Sequence, residues 1–290
     1  MANWISRSAA PDYSSRQLAF EVLDSEQFVG RAMFEEIEHA AREKDGDLSI
    51  VLLGGRGAQA LHRQLGALAK SNAIDSLLSR LHVFTQDALA PMRMDNGFSF
   101  VRDFERLLGA DFFAKVKSFT SMRTDVSDLE SEVVRYLDVL ESRGGIDIFF
   151  LGLGPEADGA SHLAYIKPGS GAKAYDLAGV IPISTHILEH HIAKFKAGDA
   201  LYTAADEEEC RAATSILTLG PAAILSARRV VQSIVDADTA PAKRASFRRL
   251  IETEISSDPA TRARQLDENP GLWIRLHPNT RTVVLPNLLS

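Results

Sequence analysis

Four turns in this chain collect residue types that do chemistry. The first is Gly54-Gly55-Arg56-Gly57, which follows a short apolar run. Glycines let backbone N–H groups approach an anion, and a helix starting just beyond adds favourable partial charge. Arg56 brings a guanidinium suited to a bidentate phosphate contact. The spacing lacks the Lys-Ser/Thr of a Walker motif and the glycine pattern of a dinucleotide fingerprint. A plain chain reversal is the competing reading. The second turn is Phe84-Thr85-Gln86-Asp87. A carboxylate at a strand's carboxyl end faces the ligand crevice and, partly desolvated, can act as a general base. A turn or capping aspartate is the simpler alternative.

The third turn runs from Gly152-Leu153-Gly154-Pro155 through Glu156, Asp158 and Gly159 to His162. A carboxylate can fix an imidazole's tautomer and raise its basicity, giving a proton shuttle near neutral pH. The fourth, Trp273-Ile274-Arg275-Leu276-His277-Pro278-Asn279, could bring Arg275 and His277 to a pocket, although a lone loop histidine is more often structural. His190 and His191 are adjacent, diverge on a helix, and read as solvated surface residues. No metal site is expected: the third turn has one histidine, and the single cysteine, Cys210, excludes a cysteine cluster or internal disulfide. Cys210 follows Glu207, Glu208 and Glu209, which disfavour a thiolate.

Alternating segments must position these turns. Helical spacing runs over 26–42 (Val29, Met33, Ile37, Ala40) and 58–70 (Leu61, Leu65, Leu68), with a further helix over 99–108. Ser127 and Glu130 match a capping box before a helix carried by Leu129, Val133, Leu137 and Leu140 and stopped by Gly144-Gly145. Short apolar runs at 49–53, 81–84, 215–217, 229–235 and 282–285 read as strands. The run 146–153 is apolar almost throughout, as in a central parallel strand covered on both faces. Gly220-Pro221 opens a helix, and 242–255 is another. This order predicts a three-layer, doubly wound α/β fold with a mainly parallel sheet and helices on both faces. Ligands then bind beyond the strands' carboxyl ends. Residues 1–290 read as a single domain, with 1–15 a loosely ordered arm.

With 45% apolar residues the 290-residue chain can bury a large core. The net charge of −7 argues against nucleic acid as a partner, so an anionic ligand needs a local basic pocket. Its apolar runs fall far below the ~18 residues of a membrane span, and 1–15 lacks the apolar stretch of a secretory signal. With one cysteine, a cytoplasmic location is expected.

Taken in order, 49–57, 84–87, 149–168, 217–235 and 276–284 resemble the glucosamine-6-phosphate deaminases and, in part, their relatives the 6-phosphogluconolactonases. The deaminase pattern at the third turn is Gly-x-Gly-x-Asp-Gly-His-x-Ala-Phe-x-Glu-Pro. Matched here are Gly152-Leu153-Gly154, then Asp158-Gly159, then His162-Leu163-Ala164-Tyr165-Ile166-Lys167-Pro168. The resemblance implies a ring-opening histidine at His162, with Asp158 as its orienting carboxylate. It implies a general base at Asp87 that moves a proton between C1 and C2 of an open-chain sugar. It places phosphate or substrate contacts at Gly54, Gly55, Arg56, Gly57, Lys243 and Lys167. Lys167 stands where the family has a glutamate, and Ala88 follows Asp87 where the family has another. Lys243 lies in Ala240-Pro241-Ala242-Lys243, in place of the family's Gly-x-x-Lys. Pro168-Gly169-Ser170 favours the deaminase branch. The implied ligand is a phosphorylated sugar, with no cofactor and no membrane partner; a homo-oligomer is left open. The alternatives are a 6-phosphogluconolactonase-like hydrolase and a non-catalytic sugar-phosphate-binding protein.

Overall fold

The computed structural model describes residues 2–6 and 13–290. Seven strands form one sheet in the order Phe20–Val22, Thr280–Val284, Arg229–Ile234, Ile148–Leu151, Leu48–Leu52, Leu81–Thr85, Ser118–Thr120. Every pairing in it is parallel. Side chains alternate across the central strands, so each strand feeds two cores. Ile50, Leu52, Ile148 and Phe150 pack with Met33, Leu61 and Phe104 from helices Glu26–Glu43, Gln59–Lys70 and Phe100–Lys115. Val51, Phe149 and Leu151 pack with Tyr136, Leu137 and Phe247 from Leu129–Ser142 and Ala242–Glu252. The result is the expected three-layer α/β arrangement.

Chain order reverses between Leu48–Leu52 and Ile148–Leu151. From the first the sheet grows one way through Leu81–Thr85; from the second it grows the other way through Arg229–Ile234. The turns leaving these two strands therefore splay apart, and the crevice opens there.

A second sheet was not expected. Asn3–Ser6, Asp176–Pro182, Ser215–Leu219 and Asp87–Ala90 pair antiparallel in that order. The run expected at 215–217 belongs to this sheet, not the parallel one. Asp176–Pro182 carries Gly179 and ends in Pro182, which blunts its strand signal. Within the stretch expected as a loose arm, Asn3–Ser6 is the edge strand, and the Trp4 indole N–H donates to the Ser170 carbonyl at 3.0 Å. The rest of the arm lies partly outside the described residues. The helix Leu129–Ser142 is capped by Asp128, whose carboxylate accepts from the Ser131 N–H at 3.0 Å, rather than by Ser127. No helix among the described residues is long and apolar enough to cross a membrane.

Candidate active site

The crevice holds a partly open cavity lined by the first three turns and by residues from three helices. Gly54, Arg56 and Gly57 line one wall. A Cβ at Gly54 would fall 1.9 Å from the Phe100 ring, and Gly55 has φ +78°, a conformation open to glycine. The Gly55 N–H interacts with the buried Asp103 carboxylate. Arg56 faces the cavity, but its guanidinium is already engaged: Nη2 donates to Glu26 at 2.5 Å and Nη1 to Gln59 at 3.4 Å.

Asp87 sits where the chain passes from one sheet to the other. The Gln86 N–H donates to the Leu52 carbonyl of the parallel sheet, and the Gln86 carbonyl accepts from the Leu219 N–H of the antiparallel one. Asp87 then pairs opposite Thr218. Its carboxylate is buried and accepts from Gln86 Nε2 at 2.6 Å. Burial pushes its pKa up to about 6, against the opposing pull of Lys194 and Gln86.

The third turn is a short hairpin, with Gly154 opposite His162 and Pro155 opposite Ser161. The ring of His162 lies over Gly154 so closely that a Cβ there would be 1.7 Å from Nε2. His162 Nδ1 meets Glu156 Oε1 at 2.7 Å, and both side chains are largely buried. Burial holds the imidazole's pKa down, Glu156 raises it, and Lys194 and Lys243 lower it further. A neutral ring with Nδ1–H donated to Glu156 leaves Nε2 as the base facing the cavity.

The expected partner, Asp158, is exposed on the far side of the hairpin, with φ +54°. Only its carbonyl is engaged, by Arg249 Nη1 at 3.0 Å. The correction follows from the hairpin: the five residues between Pro155 and Ser161 turn the chain so that Glu156 stays beside the strand pair while Asp158 rides its tip. Lys167 is also displaced; it is half-buried and does not line the cavity. Arg275 and His277 serve the fold. Arg275 donates to the Arg16, Leu250 and Thr253 carbonyls, and His277 to the Ala227 carbonyl.

Four side chains were missed or misread: Lys194, Asp236, His190 and His191. Lys194, from the helix Thr185–Ala197, is half-buried in the cavity wall with its stem against Gly55 and its ammonium donating to the Tyr165 hydroxyl at 2.7 Å. Burial lowers its pKa to about 8, while Asp87 raises it. Asp236 binds Lys243 Nζ at 2.5 Å, so this lysine reaches the cavity already paired. His190 lines the cavity and His191 is fully buried, so neither is a solvated surface residue. Ile187, His191 and Phe195 share one helix face at four-residue spacing; that apolar stripe was the signal that His191 points inward. Among the described residues, no group of three or more His, Cys, Asp and Glu could hold a metal ion. Cys210 is buried, and its thiol is pushed up to about 12.

No family model matches the chain. In sequence it is 22% identical over 258 residues to the glucosamine-6-phosphate deaminase of Staphylococcus epidermidis, covering 89% of this chain and 90% of that one. The Staphylococcus aureus deaminase is 30% identical over 153 residues, covering 52% of this chain and 51% of that one. This chain is a relative of the glucosamine-6-phosphate deaminases. Its fold matches a monomeric glucosamine-6-phosphate deaminase of the NagB superfamily, with TM-score 0.70, 19% identity, and 93% and 98% of the two chains covered. It also matches the 6-phosphogluconolactonase of Thermotoga maritima, with TM-score 0.61, 18% identity, and 92% and 99% covered. Against the deaminase pattern Gly-x-Gly-x-Asp, counting from Gly152 lands on Glu156. The Asp158-Gly159 pair imitates the next part of that pattern inside the longer hairpin.

Proposed function

We propose that this protein is a cytoplasmic, cofactor-independent sugar-phosphate isomerase and deaminase acting on a phosphorylated 2-amino aldose. One observation carries the reading. A buried carboxylate, Asp87, titrating at about 6, shares a cavity with a histidine held by a carboxylate and with two lysines. The sugar phosphate lies with its anionic end toward Lys194, Lys243 and the glycine turn. His162 Nε2 takes the anomeric hydroxyl proton and returns it to the ring oxygen, which opens the ring. Asp87 then takes the C2 proton; the C–H electrons form the C1–C2 double bond as the C1–O1 π pair moves onto O1, which takes a proton from the substrate's ammonium to give an enolamine. The nitrogen lone pair then drives return of the Asp87 proton to C1. The nitrogen is left on C2 as an iminium. Water adds there, and the carbinolamine collapses with loss of ammonia to the ketose phosphate.

Lactone hydrolysis is a second reading. It is favoured by the Glu156–His162 pair, which suffices to activate a water, and by Lys167, which stands outside the cavity where a deaminase has a glutamate. Incubation with glucosamine 6-phosphate, with ammonia and fructose 6-phosphate both measured, separates the two. Equal amounts of both products are expected. No turnover there, with hydrolysis of 6-phosphogluconolactone, transfers the protein to the second reading. Tight binding of both compounds without turnover removes catalysis altogether.

A further inference from the structure

Behind Lys194 lies a buried chain of hydrogen bonds that the reaction itself does not use. Lys194 Nζ lies 2.7 Å from the Tyr165 hydroxyl, the hydroxyl lies 2.8 Å from His191 Nδ1, and His191 Nε2 lies 2.8 Å from the Phe98 carbonyl. We infer that Tyr165 and His191 are positioning residues, which with the Phe98 carbonyl form a one-directional relay that fixes the Lys194 ammonium in the cavity.

The direction follows from what each group can do. A carbonyl only accepts, so His191 Nε2 carries the hydrogen. The ring is neutral, because burial and the nearby Lys194 hold its pKa well below the usual range. Nδ1 is therefore an acceptor, and the Tyr165 hydroxyl must donate to it. The oxygen lone pairs of Tyr165 are then left to receive an N–H of Lys194. An ammonium satisfies that need. One donor of Lys194 is spent on the relay and the others remain for an anionic group of the ligand. The faces of Phe100 and Tyr165, with centroids 4.9 and 4.7 Å from Nζ, restrict the lysine further. Among the described residues no carboxylate forms an ion pair with Lys194, so the tyrosine is its direct anchor.

Other charges face it at longer range. Asp87, Asp236 and Asp103 favour its proton, and Lys243 opposes it. His162 and His190 also face it, both held toward the neutral form by burial. The His162 ring packs against that of Tyr165, with centroids 5.1 Å apart, but none of these groups hydrogen-bonds to Tyr165 or His191, so Tyr165→Phe, which keeps the ring, leaves that background in place.

The test reads Lys194 directly. The titration midpoint of its 13Cε resonance is followed in the unliganded protein, and the dissociation constant of inorganic phosphate is measured by calorimetry. In Tyr165→Phe the ammonium loses its acceptor, and the midpoint is expected to move down by about one pH unit. Phosphate binding at pH 7.5 is expected to weaken roughly tenfold. His191→Leu shifts both in the same direction by less, because the hydroxyl is released to turn. His191→Gln, which keeps one acceptor and one donor, restores both. A side chain that merely filled space would change the melting temperature of the variants without moving the Lys194 midpoint. An unmoved midpoint in Tyr165→Phe overturns the inference, as does a His191→Gln that behaves like His191→Leu. The ligand assignment rests on the proposed reaction, but the midpoint does not. A shifted midpoint in a protein that turns over no sugar phosphate would keep the relay and sink the enzyme reading.

Discussion

The turns after Leu48–Leu52 and after Ile148–Leu151 leave neighbouring strands at the same edge of the sheet and line the same cavity. The first is shaped by what is missing: Gly54 makes room for Phe100, and Gly55 takes a positive φ beside the Lys194 stem. Its guanidinium, Arg56, is committed to Glu26, and its cationic partners come from elsewhere in the chain. The second turn carries its own chemistry, histidine and carboxylate together, and uses Gly154 to seat the ring. A turn that only cradles must borrow its charges, whereas a turn that acts can lengthen into a hairpin and keep its pair intact.

The contrast can be broken at several points, beginning at Asp87, the proposed base in the cavity both turns line. Asp87→Asn should lower turnover on the order of 10³-fold. C2 proton exchange in heavy water should stop while substrate binding persists; continued exchange would remove Asp87 from the mechanism. His162→Gln should cost on the order of 10²-fold. Gly154→Ala should approach that loss without unfolding, because its Cβ would occupy the place of the His162 ring. A fully active Gly154→Ala would mean the ring does not work from that seat.

Next come the two carboxylates of the hairpin. Glu156→Gln should reduce kcat/KM about tenfold by weakening a charge-assisted hydrogen bond. Asp158→Asn should stay within about twofold of the parent, as expected of an exposed site. The reverse order would return the orienting role to Asp158.

The pH profile gives the gentlest test. The base must be ionised, so kcat/KM should rise with pH through about 6 as Asp87 loses its proton. It should fall again as Lys194 loses its charge at about 8. Stability follows the same carboxylate. The folded-state pKa of Asp87 lies above its ordinary 3.8, so folding disfavours the ionised form, and the fold loses stability as pH rises from there through about 6. Asp87→Asn should therefore melt above the parent at pH 7 to 8, with the gap closing toward pH 4. A gap independent of pH would show that the strain lies elsewhere.

Much of this was legible in the sequence. The inner parallel strands read as short apolar runs because their faces are buried, and Gly54, Asp87 and Gly152 follow such runs closely, whereas the outer strands Phe20–Val22 and Ser118–Thr120, exposed or half-buried, gave no such run. Glu156, named with Asp158 in the third turn, was passed over for the orienting role because Asp158-Gly159 copies the deaminase spelling, and only the hairpin register shows which carboxylate stays beside the ring. Lys194 was overlooked because His190 and His191 interrupt the apolar pattern of its helix, and a half-buried lysine announces itself only through its neighbours. The antiparallel sheet was missed because its strands join segments far apart in the chain.

Asp87 is spliced between two independent hydrogen-bond ladders, with Gln86 bonded to Leu52 on one side and Leu219 on the other. The proposed base is thus a surveyed benchmark rather than a passenger on a loop. Recombining or lengthening the hairpin, or exchanging the helix that brings the lysine, changes what is held against it and leaves the benchmark where it stands. Re-engineering this cavity for another sugar should begin with those movable walls.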